Sequence, residues 1–77
     1  MTDYSIEELN LSNKGLSKLP DLAKYTHLKK LNCSWNKLTH LGNLPISITE
    51  LDCSYNQLTH LDNLPINLNT LVCWHNQ

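Results

Sequence analysis

Three segments, Leu31-Asn-Cys-Ser-Trp-Asn36, Leu51-Asp-Cys-Ser-Tyr-Asn56 and Leu71-Val-Cys-Trp-His-Asn76, begin 20 residues apart. A period that short belongs to stacked solenoids, in which no unit can bury its own apolar face and each relies on its neighbours. Laid over one another, residues 28–47 and 48–67 agree at 12 of 20 positions, against roughly one expected by chance from average composition. Stepping backwards, Ile6-x-x-Leu9-x-Leu11 fits the same template, and Leu16 and Leu19 take the places of Leu38 and Leu41. The frame divides a single domain, 1–77, into units 6–27, 28–47 and 48–67 and a half unit, 68–77; the first unit has 22 residues.

The recurring pattern, apolar-x-x-Leu-x-(Leu/Cys)-x-x-Asn-x-Leu, resembles the leucine-rich repeat family from about Ile6 to the end of the chain. Units carrying Leu44-Pro45 and Leu64-Pro65 are similar to the short bacterial-type class found in effectors delivered into host cells, and the CSxNxLTHL wording resembles leucine-rich proteins of giant amoebal viruses. The resemblance implies an α/β solenoid with a short parallel β-sheet on its concave face, used to bind proteins. Leu19 to His27 resembles the 22-residue class, so at most a helical turn is expected there, and an irregular or extended convex side elsewhere. The prolines after Leu44 and Leu64 favour that, because proline pushes its predecessor out of the helical region.

Charge and composition exclude several functions. Six basic and seven acidic residues are scattered, for a net charge of −1, which leaves no electrostatic footprint for nucleic acid or anionic lipid. No apolar run approaches membrane-spanning length, and the first residues lack the basic and apolar regions of a secretory signal. Three cysteines, an odd number without Cys-x-x-Cys, fit a reducing compartment. The expected location is cytoplasmic, in the host if the chain is viral or effector-derived.

Reading by column assigns roles. Leu31 and Cys33, Leu51 and Cys53, and Leu71 and Cys73 alternate with polar neighbours at period two and face inward. Leu38, Leu41 and Leu44, with Leu58, Leu61 and Leu64, return to the same core from the outer arc. Asn36, Asn56 and Asn76 form a ladder whose carboxamides serve the backbone of the turn leaving each strand. The cysteine column reads as apolar core: a line of sulfurs does not give the tetrahedral set that zinc requires. His40 and His60 read as a solvated face for want of a third and fourth ligand.

The exposed face offers the functional candidates. Glu8, Lys30 and Glu50 are expected as cross-strand neighbours. Beyond them three outward rows are expected: Asn10, Asn32, Asp52 and Val72; Ser12, Ser34, Ser54 and Trp74; Asn13, Trp35, Tyr55 and His75. Rings exposed side by side suit protein recognition, because a stiff aromatic buries much area at little entropic cost. The candidate protein-binding residues are therefore Trp35, Tyr55, Trp74, His75, Asn32 and Asp52. Four short strands project only about 300 Å², against about 800 Å² per partner in a standard interface. A short peptide, engaged flanks or further repeats would reconcile the two figures.

The half unit after Leu68 is expected to leave Leu68, Leu71 and Cys73 without a polar cap, so the chain is read as the N-terminal part of a longer array or as one that self-associates through that end. The leading function is a non-enzymatic protein-protein interaction module with no cofactor, binding a protein or peptide and neither nucleic acid nor membrane. Alternatives are a recognition arm of a larger effector or ligase-type enzyme, and a metal- or pH-responsive element using the cysteine or histidine columns. No catalytic triad, phosphate loop or metal-ligand spacing supports intrinsic catalysis.

Overall fold

The structure, a computed structural model, describes residues 2–76. Each unit contributes one three-residue strand: β1 (Glu8–Asn10), β2 (Lys30–Asn32), β3 (Glu50–Asp52) and β4 (Thr70–Val72). They form a single parallel sheet in chain order. Leu9, Leu31, Leu51 and Leu71 lie in one register row. The 20-residue frame therefore sets the pairing, since a slip of one residue would turn that leucine row to solvent. Beyond the strands the ladder continues: Leu11, Cys33 and Cys53 N–H donate to the carbonyls of Asn32, Asp52 and Val72 at 2.7, 2.8 and 2.9 Å.

The core lies between the sheet and the returning arc. Leu22, Leu28, Cys33, Leu38, Ile48, Leu51, Cys53 and Leu58 are its fully enclosed members, and Leu31 and Leu41 complete the buried set. Leu44, Leu61, Leu64 and Leu68 pack against it while remaining partly accessible. The core slots read from the sequence are filled through units two and three, whereas Leu71 and Cys73, read as inward, are exposed.

Among the described residues there is no helix, so the convex side runs through short turns and irregular chain. Pro20 removes a donor at the entry to the outer segment of unit one, and Asp21 Oδ1 captures the Ala23 N–H at 2.9 Å. Tyr25 N–H closes on the Leu22 carbonyl at 3.1 Å, but the chain must rejoin the sheet at Lys30, too soon for a helical nucleus to propagate. In units two and three the turns close from Ile48 to the Pro45 carbonyl and from Leu68 to the Pro65 carbonyl, at 3.3 and 3.1 Å.

The asparagine ladder ties successive units together. Asn36 Oδ1 accepts the Lys14 and Leu16 N–H groups, and its Nδ2 donates to the carbonyls of Leu11, Cys33 and Ser34. Asn56 repeats this one turn on, accepting from Leu38 and donating to Cys33, Cys53 and Ser54. Asn76 accepts from Leu58 and donates to Cys53, Cys73 and Trp74. One carboxamide thus satisfies donors and acceptors of two adjacent turns that would otherwise be buried unpaired.

Candidate functional site

The concave face begins with the expected charge row. Lys30 Nζ lies 4.0 Å from Glu8 Oε1 and 3.5 Å from Glu50 Oε2. All three are largely solvated, so the pairs set register more than they stabilise. A shallow cavity of about 400 Å³ runs over the four strands, lined by the Glu8, Lys30, Glu50 row and the Asn10, Asn32, Asp52 row, with Thr70 and Val72 at β4. Asn32 and Asp52 thus line the cavity, though each also has structural work. Asn32 Oδ1 accepts the Ser34 N–H at 3.0 Å and its hydroxyl at 2.6 Å, and Asp52 Oδ1 accepts the Ser54 N–H at 3.1 Å.

Those turns correct the second outward row. Ser34 and Ser54 are buried, not exposed. Period-two alternation holds only while the chain is extended, and the strands end at Asn32 and Asp52. The side-chain oxygen there bends the chain back on itself, a local bond that competes with strand continuation. Trp74, in the serine column of the half unit, is by contrast 67% exposed, with its N–H donating to Ser54 Oγ at 3.0 Å.

The third row is a column of stacked rings. Trp35 and Tyr55 lie with centroids 4.0 Å apart and planes 6° apart, and Tyr55 and His75 are 4.5 Å and 20° apart. Trp35 remains 57% and Tyr55 38% exposed. The column stands on the turn leaving each strand, three residues beyond Asn32, Asp52 and Val72 of the cavity wall, and does not itself line the cavity. Trp74 is next to His75 in sequence and takes no part in these two stacks.

Every member of that row is left-handed: Asn13 at φ 55°, Trp35 at 57°, Tyr55 at 57° and His75 at 54°. Such a conformation costs an ordinary residue about 1–2 kcal/mol and is adopted readily only by glycine, asparagine or aspartate. Two ring stacks return about 0.5–1.5 kcal/mol each, so rings gain the fold little over asparagine, which serves the same turn in unit one. Period and hydropathy miss this backbone feature. Its signal was Asn13 itself, a residue tolerant of the left-handed region standing in the ring column.

The two remaining columns are poorly built for chemistry. Burial pushes the Cys33 thiol up to about 12 and the Cys53 thiol to about 11, with the neighbouring cysteine and Asp52 adding to each. Both are therefore held as neutral thiols, poor nucleophiles and poor metal ligands. Cys73 is exposed, and among the described residues none of a further unit lies over it. His40 and His60 share a smaller cavity of about 250 Å³ with Asp62, whose Oδ2 lies 3.3 Å from His60 Nε2. Each histidine Nδ1 is within hydrogen-bond reach of the preceding threonine hydroxyl. Among the described residues no group of three histidine, cysteine or acidic side chains is placed to hold a metal ion.

Parallel strands at a 20-residue interval, an inward leucine row and an asparagine ladder describe one architecture, and comparison with known families agrees. The Leucine Rich Repeat model matches residues 27–48 and 47–71, more than half of the chain. No curated protein matches the sequence. Repeats of this kind generally mediate protein–protein interaction and are typically not enzymes. The chain belongs to the leucine-rich repeat family.

Proposed function

We propose that this protein is a non-enzymatic binding module that holds a protein partner's peptide segment across its concave face and against the Trp35, Tyr55 and His75 rings. The observation that carries this reading is the ring column: three large side chains, two of them stacked on a central tyrosine, sit at strained positions beside an open cavity. Large rings held at a left-handed turn position that asparagine serves equally well are a pointer to function, and exposed tryptophan and tyrosine are the residues most enriched at binding hot spots. The cavity is peptide-sized, and an extended segment crossing four strands engages the sheet and the rings together. Trp74 adds a further exposed ring at the same end. Three free thiols, two of them sealed in the core, suit the cytoplasmic setting proposed with it.

Trp35→Ala and Tyr55→Ala are the obvious tests, but alanine at a left-handed position is itself strained. Asparagine is the cleaner replacement, because Asn13 already occupies this column. A Trp35→Asn/Tyr55→Asn double variant is expected to keep its urea midpoint close to wild type while losing the proteins that immobilised wild type captures from a cell extract. Equal capture by the two would sink the reading.

A further inference from the structure

The concave cavity carries a charge imbalance that the fold does not use. Four ionic side chains line it, the carboxylates of Glu8, Glu50 and Asp52 against the single ammonium of Lys30. Lys30 is shared between Glu8 and Glu50, and among the described residues Asp52 has no ion pair. Its Oδ1 accepts the Ser54 N–H, a bond that the amide oxygens of Asn10 and Asn32 make equally well in the preceding units. The turn requires an oxygen there and not a charge.

Placement sharpens the point. Glu50 and Asp52 are two residues apart on β3, about 6.6 Å along the strand and on the same face. On one side Glu50 faces Lys30; on the other the pair faces Thr70 and Val72, which bring no cation. A guanidinium has donors on both edges of a rigid plane and can reach two carboxylates at once, which an ammonium does less well. The ring column adds a second reason through Trp35. Tyr55 is covered by Trp35 on one face and His75 on the other, so only the outer face of the exposed Trp35 offers the negative end of a ring quadrupole, which attracts cations and stacks with guanidinium planes in particular.

Resting on the reading that this face binds a peptide, we propose that its occupant is an extended, arginine-bearing segment of a partner protein, one guanidinium bridging Glu50 and Asp52 above Thr70 and Val72. Anionic segments and nucleic-acid phosphates are repelled by the same three carboxylates. Charge complementarity of this kind selects the partner and speeds encounter more than it adds affinity.

The test uses the full chain and a random 12-residue peptide library displayed on phage. Wild type, Trp35→Asn and Glu50→Gln/Asp52→Asn are each used for selection, the last keeping the turn oxygen so that folding is retained, which its urea midpoint checks. Arginine is expected to rise about threefold over the input library with wild type and not at all with Glu50→Gln/Asp52→Asn, and a selected peptide should lose about fivefold in affinity for that variant. Peptides selected by wild type but lost with Trp35→Asn, and showing no preference for arginine, would overturn the inference while leaving the peptide-binding reading standing. Arginine enrichment that survives Glu50→Gln/Asp52→Asn would overturn the assignment to these carboxylates. Failure of wild type to select any peptide would overturn both.

Discussion

The middle turns and the half turn after them carry the same Leu-x-Cys-x-x-Asn frame with different fates. Leu31 and Leu51 are 2% and 1% exposed, whereas Leu71, in the same register row, is 37% exposed. Cys33 and Cys53 are sealed and Cys73 is open. The leucine and cysteine, the strand register and the asparagine bonds are shared, although Val72 and Trp74 lack the side-chain bond of Asn32 and Asp52. The leucine and cysteine differ in what lies next along the stack. Burial here is supplied by the neighbouring unit, which is the physical content of a repeat architecture.

Alkaline titration presses hardest on the buried half of that comparison. Cys33 and Cys53 hold their protons up to about 12 and about 11 in the folded chain, above the ordinary thiol value of 9.0. As pH rises, the unfolded chain loses these protons first, and unfolding is favoured wherever it binds fewer protons than the native state. The thiols' contribution is therefore fully present below pH 9 and is lost as pH climbs through 11 and 12. Urea midpoints measured at intervals across that window should fall steeply, and Cys33→Ala should flatten the fall.

Truncating one leucine in two places comes next. Leu51→Ala removes an enclosed side chain and should cost about 3 kcal/mol through lost transfer energy and the cavity left behind, whereas Leu71→Ala should cost under about 1 kcal/mol. Urea unfolding of the pair measures both, and equal losses would break the comparison.

The asparagine ladder gives a smaller version of the same contrast. Asn56→Ala strands the Leu38 N–H and three carbonyls within two covered turns, an expected cost of about 1–3 kcal/mol. Asn76 makes a similar set, but two of its bonds lie where water can replace them. Asn76→Ala should therefore cost no more than half as much in the same unfolding experiment.

What could be read from the sequence followed from the frame. The register of Leu31 on Leu51, the Glu8, Lys30, Glu50 row, the inward cysteines and the duty of Asn36 and Asn56 are all consequences of a 20-residue interval plus period-two alternation. Alternation does not predict the burial of Ser34 and Ser54, because a side-chain bond at Asn32 and Asp52 ends the extended chain before them. The recurring Asx-x-Ser wording, at Asn10, Asn32 and Asp52, held that information. The ring column was legible as a row but not as left-handed backbone, since nothing in tryptophan or tyrosine announces a conformation they rarely adopt. The spare charge of Asp52 emerged only when its turn could be set beside those of Asn10 and Asn32.

Counting reactive thiols in the folded protein tests neighbour-supplied burial most directly. With an aromatic disulfide reagent under native conditions, one thiol per chain, Cys73, should react at once, and Cys33 and Cys53 should follow only on addition of denaturant. Reaction of Cys33 or Cys53 as fast as Cys73 in the native state would contradict the account.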